Sequence, residues 1–94
     1  MTIGSVSVTA TAENSFSEWI AVKGKFNVSV SGIAGGTTVT VQRSINAAVT
    51  ILDVKNYTAN KEESGEEIEH GWSYRIGVKT GNYGSGSAIG WISF

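Results

Sequence analysis

The stretch Phe26-Asn27-Val28-Ser29-Val30-Ser31 alternates strictly between apolar and polar residues. Successive side chains of a β-strand point to opposite faces, so this pattern predicts a strand with one face on a core and the other in water. Residues 5–12, 38–42 and 73–79 alternate in the same way. The side chains predicted to point inward from the most regular segments are Phe26, Val28, Val30, Val39, Val41, Tyr74, Ile76 and Val78.

The rest of the chain extends this all-β pattern. Residues 19–22 and 49–54 are denser in apolar side chains and are predicted to be more centrally buried strands, while residues 65–70 predict a weaker strand with Ile68 inward. Clusters of Gly, Asn and Ser predict turns at residues 13–15, 32–36, 44–46, 60–65 and 81–86. Seven or eight short strands at this spacing predict one antiparallel β-sandwich over residues 1–94, of immunoglobulin-like or jelly-roll topology.

Composition supports this fold class and excludes several functions. The chain has ten Val, nine Ile and nine Thr but a single Leu and a single Met, and β-branched residues favour strands over a helix bundle. The absence of Cys excludes disulfides, Cys-ligated zinc and thiol catalysis. A net charge of −1 argues against nucleic-acid binding. We find neither a secretory signal nor an apolar run of the roughly 20 residues that a membrane span needs, so we expect a soluble protein made in a cytoplasm.

The titratable residues give no catalytic set. The chain has one His, His70, and one Asp, Asp53, so it can assemble neither a Ser-His-Asp triad nor a multi-histidine zinc site. We expect His70 to be an exposed turn residue rather than a general base, and Asp53 to face solvent or cap a turn. The sequence therefore predicts no enzymatic activity, no cofactor and no metal.

A run of acidic residues is the one strong charge feature, and it has three interpretations. Paired carboxylates can act as acid and base or bind Ca²⁺, although calcium loops favour Asp and Asn, which this run lacks. The run can also contact a basic partner surface. The simplest interpretation is a solvated loop and edge strand kept soluble by charge repulsion. Its members are Glu62, Glu63, Glu66, Glu67 and Glu69.

Aromatic and apolar residues near breaks and at the C-terminus are candidate contact residues. Trp72 follows a glycine at a break, and Tyr83 lies in a Gly-rich loop; each ring is either an exposed hot spot or folded back over the end of the sandwich. The last strand is apolar on both faces, with Ile89 and Trp91 on one and Ile92 and Phe94 on the other. It is therefore either central and covered or in contact with another subunit. The candidate interface residues are Trp72, Tyr83, Ile92, Phe94, Glu62 and Glu63.

Four segments, taken in order, resemble a group of small β-sandwich structural proteins of tailed bacteriophages. They are Gly24-Lys25-Phe26-Asn27-Val28-Ser29-Val30-Ser31-Gly32, Val39-Thr40-Val41-Gln42-Arg43-Ser44, Tyr57-Thr58-Ala59-Asn60 and Tyr74-Arg75-Ile76-Gly77-Val78. Each piece is ordinary strand-and-turn sequence, and only the ordered set is distinctive. The chain departs from the pattern between Ser44 and Val54, where such proteins carry an acidic, Gly-containing turn followed by Trp.

The resemblance implies a virion structural protein that decorates or cements a capsid. It further implies a homotrimer bound to the major capsid protein, with the chain made in the host bacterial cytoplasm and located in the virion. An alternative is a tail- or fibre-associated immunoglobulin-like module that binds a host-surface glycan or protein through loop aromatics. A third possibility is a small glycan-active enzyme that uses the Glu run.

Overall fold

The computed structural model describes residues 4–46 and 49–94, which form nine β-strands and no helix. All of the paired strands are antiparallel, so the all-β prediction is confirmed. In chain order the strands are β1 (Ser5–Ala10), β2 (Ser15–Phe16), β3 (Ile20–Ala21), β4 (Gly24–Ser31), β5 (Val39–Ser44), β6 (Leu52–Tyr57), β7 (Lys61–Glu67), β8 (Ser73–Val78) and β9 (Ala88–Ser93).

The strands form two sheets. Sheet A has the order β1-β9-β4-β7, and sheet B has the order β2-β8-β5-β6, with β3 also paired to β8. Within the described residues, β7 and β6 each pair with a single strand, so each is an edge of its sheet. In the described part of the chain, no helix has the length and apolar character to cross a bilayer.

The core lies between the two sheets and contains the eight side chains predicted to point inward from the most regular segments. Tyr74, Ile76 and Val78 of β8 are at most 3% exposed, and Phe26, at 7%, is the most exposed of the eight predicted core residues. The rings of Phe26 and Tyr74, one from each sheet, lie with centroids 5.0 Å apart. Period-two alternation therefore placed the inner faces of β4, β5 and β8 correctly.

The prediction that residues 49–54 form a buried central strand is wrong. Strand β6 is an edge, and Leu52 and Val54 are 44% and 45% exposed, while Val49 in the preceding loop is 82% exposed. A shift of register between Val41 and Gln42 of β5 disturbs the pairing with β6. An edge strand lacks a second neighbour, so its apolar side chains stay partly in water. In residues 19–22, by contrast, Val22 is buried.

The acidic segment also differs from its prediction. Residues 60–65 were predicted to be a turn, but Lys61–Glu67 forms β7, paired along its length with β4. Ile68 was predicted to point inward and is 76% exposed, whereas Glu67 is 3% exposed. The physical reason is that Glu67 finds hydrogen-bond donors inside the molecule, and a paired carboxylate can be buried. The strand therefore ends with its charged residue inward and its apolar residue outward.

A polar ladder covers the outer face of sheet B. Gln42 donates a 2.9 Å hydrogen bond to Asp53 and accepts one of 2.9 Å from Arg75, while Lys79 donates to Asp53 at 2.6 Å. The Arg75 guanidinium lies 3.9 Å from the centroid of the Phe16 ring. Gln42 is buried, and these hydrogen bonds give partners to both the nitrogen and the oxygen of its side-chain amide.

Candidate functional site

Exposed apolar side chains are concentrated on β6 and among the described residues just before it. Five large apolar residues within ten positions are exposed by 39% to 82%. We call this set the β6 apolar surface; it consists of Ile45, Val49, Ile51, Leu52 and Val54. Soluble monomers rarely expose grouped apolar side chains of this size, and such groups mark interaction sites.

A small cavity opens beside the β6 apolar surface, where the edge of sheet B faces the edge of sheet A. Its volume is about 130 Å³, and its lining includes Val54, Tyr57 and Val41 from sheet B and Phe26 and Val28 from sheet A. The lateral opening of the two sheets is therefore apolar inside. A partner side chain that entered it would bury further apolar area.

The two loop aromatics predicted as contact residues are turned toward the core. Trp72 and Tyr83 are partly buried and pack against the core cluster. The Arg43 guanidinium lies 4.1 Å from the Trp72 ring centroid, and the buried Trp72 Nε1 has no hydrogen-bond partner among the described residues. The Tyr83 hydroxyl donates to the Gly86 carbonyl at 2.9 Å. Both rings thus match the interpretation in which they fold back over the molecule.

The Gly-rich loop that carries Tyr83 is held to the loop between β4 and β5. Thr37 Oγ1 accepts hydrogen bonds from the backbone N–H groups of Gly84 at 2.8 Å and Ser85 at 3.3 Å. A Cβ at Gly84 would clash with the carbonyl oxygen of Gly35, so this close approach requires glycine. The Gly-rich pattern of residues 81–86 predicts a turn, but no pattern in the sequence indicates the role of buried Thr37.

The terminal strand is covered on one face. Ile92, predicted as an interface residue, is 0% exposed and belongs to the core, so that prediction is corrected: Ile92 fills the space between the sheets and is not available to a partner. Phe94 is 40% exposed, and its backbone N–H donates to the Gly4 carbonyl at 3.0 Å. The outward residues of the strand are Ile89, 36% exposed, and Trp91, 46% exposed.

Glu62 and Glu63 lie on edge strand β7 and are engaged within the chain. Glu62 accepts a 3.2 Å hydrogen bond from Ser29. Glu63 accepts one of 2.6 Å from the Tyr57 hydroxyl and lies 3.8 Å from Lys55 Nζ. The Tyr57 bond lowers the pKa of Glu63, and burial together with this carboxylate raises that of Tyr57. Glu63 therefore links β7 to β6 across the lateral opening.

A buried cluster centred on Glu67 joins the two sheets. Its Oε1 accepts hydrogen bonds from Tyr74 at 2.7 Å and from Arg43 at 2.8 Å, and its Oε2 accepts one from the Glu69 backbone at 3.2 Å. Burial by itself raises the pKa of Glu67, but these three hydrogen bonds together hold it below its usual value. Glu67 accepts all three of these hydrogen bonds from donors within the chain, which indicates a structural role.

The remaining titratable candidates are dispersed. His70 is exposed in the turn after β7, as predicted. Asp53 is tied to Lys79 and Gln42, and the hydrogen bonds from these two residues lower its pKa. Across residues 4–46 and 49–94, no group of three or more His, Asp or Glu side chains has the arrangement of a metal site.

The outer face of sheet A holds a groove with a volume of about 460 Å³. Trp91 forms its apolar part. The residues around it are polar: Asn27, Ser29, Glu62, Glu63, Ser64 and Ser93. Alternation predicted outward positions for Asn27 and Ser29, but the strand order that brings them beside Trp91 was not predictable from the pattern.

Comparisons with known proteins add no identification. No family model matches the chain, and neither the curated proteins nor the solved structures contain a match.

Proposed function

We propose that this protein is a structural component of a tailed-bacteriophage virion, a capsid decoration or cement protein that binds the major capsid protein and acts by binding rather than by catalysis. The observation that carries this function is the β6 apolar surface, with Val49 82% exposed and Leu52 44% exposed. The ordered strand segments resemble those of small phage β-sandwich proteins, and this resemblance is the basis for proposing a capsid protein as the partner.

The unpaired edge of β6 suits attachment to a protein lattice. Its outer backbone N–H and C=O groups have no strand neighbour among residues 4–46 and 49–94, and they lie beside exposed apolar side chains. A partner strand or loop placed there would satisfy these groups and remove apolar area from water, at roughly 25 cal/mol per Å². Repetition over a lattice makes many weak contacts effective through avidity.

The proposed assembly is a homotrimer on the capsid, and the proposed location is the virion. A chain of 94 residues has a thin core, so burial of Leu52 and Val54 against another chain would add stability that the monomer lacks. Closed symmetry would also hide the β6 edge, which otherwise invites aggregation.

We also propose that the two sheets form a β-sandwich of immunoglobulin-like or jelly-roll topology. The β4–β7 and β5–β8 pairings correspond to the B–E and C–F pairings of an immunoglobulin domain when these strands are equated in order. Strand β9 departs from that plan, because it lies in sheet A between β1 and β4.

The alternative function is host-surface recognition through loop aromatics, and it requires Trp72 and Tyr83 to project from their loops. Trp72 and Tyr83 pack on the core and do not project from the loops. The exposed aromatic ring on a sheet face is Trp91.

A charge-introducing variant tests the proposal. We expect the wild-type chain to be oligomeric by light scattering and to co-sediment with undecorated tailed-phage capsids. Val49→Asp combined with Leu52→Asp places two carboxylates on the β6 apolar surface. The double variant should neither oligomerise nor co-sediment with capsids, while its thermal midpoint should stay near that of the wild type. The matched control is Ile89→Asp, at an apolar position on the other sheet that is 36% exposed. A monomeric wild type that fails to co-sediment, or an effect of Ile89→Asp equal to that of the double variant, would contradict the proposal.

A further inference from the structure

The outer face of sheet A carries an ordered array of polar side chains around one tryptophan. Strand register places Trp91 of β9 between Ser7 of β1 and Ser29 of β4, with Glu62 of β7 beyond Ser29. Residues in register on neighbouring strands share a face, and these four therefore form a row across the sheet. The adjacent row contains Ser5, Ser93, Asn27 and Ser64.

The groove over this array has the dimensions of a small-molecule site. Its volume, about 460 Å³, falls within the range of about 300–1,000 Å³ typical of ligand pockets. Strands lie about 4.8 Å apart, so the groove from β9 across β4 to β7 spans about 10 Å. A short oligosaccharide fits this length, with one ring over Trp91 and the next over β4 and β7.

Trp91 gives the groove an apolar floor at one point. Trp91 is 46% exposed, and its neighbours in register across the sheet are Ser7 and Ser29. A pyranose ring presents C–H bonds with slight positive charge on one face, and the negative face of an aromatic ring attracts them. An exposed indole beside hydrogen-bonding groups is therefore the arrangement that a sugar ring requires.

The polar groups around Trp91 are available to a ligand. Asn27, Ser64 and Ser93 make no side-chain hydrogen bond within the described chain, so a ligand need not break internal bonds to use them. An Asn amide supplies two donors and an acceptor, and each hydroxyl supplies one donor and two acceptors. Sugar hydroxyls need this mixture, because each one both donates and accepts.

The charge of the groove selects among glycans. Glu62 contributes a carboxylate to its lining, and no Lys or Arg is among the described residues that line it. Acidic lining repels sialylated, sulfated and phosphorylated ligands. Like charges brought together in this way oppose binding, which gives specificity by exclusion.

We propose that the Trp91 groove binds a neutral glycan, with a sugar ring stacked on Trp91 and its hydroxyls bound by Asn27, Ser64 and Ser93. This site lies on the outer face of sheet A, apart from the β6 apolar surface. It therefore stands independently of capsid attachment and would give a virion-bound chain a contact with sugar-coated surfaces.

A glycan panel with matched variants tests this inference. The wild-type chain is applied to immobilised neutral oligosaccharides of glucose, mannose, galactose and N-acetylglucosamine and, in parallel, to sialylated and sulfated ones. We expect binding within the neutral set only. Titration of the best oligosaccharide should quench or shift the Trp emission, and Trp91→Ala should weaken binding by on the order of tenfold or more. Trp91→Phe, which keeps an aromatic face, should retain part of the affinity.

Ile89→Ala is the matched control, because Ile89 lies on the same face of the same strand but outside the groove. It should bind as the wild type does, and so should the β6 variant Val49→Asp/Leu52→Asp. Melting temperatures of all variants establish that they are folded. Absence of binding to every neutral glycan, binding unchanged in Trp91→Ala, or preference for the anionic set would overturn the inference. If Trp91→Ala instead abolishes capsid attachment and no glycan binds, Trp91 is a protein contact.

Discussion

The phenol of Tyr74 donates a 2.7 Å hydrogen bond to Oε1 of Glu67, a carboxylate that is only 3% exposed. Tyr74 belongs to sheet B and Glu67 to sheet A, so the bond ties the two sheets together. Arg43 of sheet B adds a second donor to the same oxygen at 2.8 Å. A buried carboxylate is stable only when it is paired in this way, so this cluster should govern how stability responds to mutation and to pH.

Removing the Tyr74 hydroxyl should destabilise the fold. Tyr74→Phe keeps the ring that packs on Phe26 but removes one donor from the buried carboxylate, at a cost of about 1–3 kcal/mol. Urea denaturation measures the loss. Tyr83→Phe is the matched control, because its exposed hydrogen bond to Gly86 should contribute within about 0.5 kcal/mol. An equal decrease in the free energy of unfolding in the two variants would show that the hydrogen bond to Glu67 stabilises the fold no more than an exposed one.

Acid should weaken the fold in a way that depends on Glu67. The pKa values of Glu67 and Asp53 are lowered in the folded chain, so the unfolded chain binds protons more readily. Their contribution is fully present above the ordinary carboxyl pKa of about 4 and is lost as pH falls through the lower folded values. Urea midpoints measured between about pH 7 and about pH 3 should therefore fall, and Glu67→Gln should make that fall shallower. An identical pH dependence in Glu67→Gln would contradict this prediction.

Alkaline pH should unfold the protein through its tyrosines. Burial, followed by the hydrogen bond to Glu67, raises the pKa of Tyr74 from 10.0 to about 12, so the folded chain holds that proton more tightly than the unfolded chain. The resulting stability is complete below the ordinary value and is lost as pH rises toward the folded one. Ultraviolet absorbance of tyrosinate and circular dichroism should change together in the wild type. If Tyr74→Phe loses its fold over the same pH interval with the same steepness, Tyr74 does not control the transition.

The core assignment predicts a contrast between two valines of the paired strands β5 and β6. Val41 is 1% exposed and Val54 is 45% exposed. Val41→Ala should cost on the order of 1–3 kcal/mol through lost burial and a cavity, while Val54→Ala should cost much less. Denaturation midpoints of the two variants decide the point. A midpoint for Val41→Ala equal to that of the wild type would remove Val41 from the core.

The comparison of sequence and structure shows where periodicity succeeds and where it fails. Alternation identified the inner faces of β4, β5 and β8, because a half-buried strand alternates strictly between apolar and polar residues. Val28 and Ile76 follow this pattern. The dense run at residues 49–54 has no such signature: Leu52 and Val54 look the same in a central strand and in an exposed edge. Glu67 could not be predicted to point inward, since its partners Arg43 and Tyr74 come from distant parts of the chain.

The candidate surfaces were predictable to a similar extent. The sequence placed Ile89 and Trp91 on one face of the last strand and Ile92 and Phe94 on the other, which is how β9 presents Trp91 and Ile92. It did not decide which face is covered, because that depends on the order β1-β9-β4-β7. The same order creates the groove by placing Asn27 and Ser93 in register. The face of a strand that a residue occupies follows from the local sequence, whereas the order of strands in a sheet depends on distant parts of the chain.

A glycine in the last strand provides a final test of how closely the sheets approach. A Cβ at Gly90 would lie 2.9 Å from Cγ1 and 3.0 Å from Cδ1 of the fully buried Ile76 in the opposite sheet. Gly90→Ala should therefore force the sheets or the Ile76 side chain to move, at about 1–3 kcal/mol in urea denaturation. Ile76→Val removes Cδ1 and gives the shorter side chain room to turn, so the double variant should be less destabilised than the sum of the two single variants. Strict additivity, or a Gly90→Ala variant as stable as the wild type, would mean that the two sheets are not in close contact at this point.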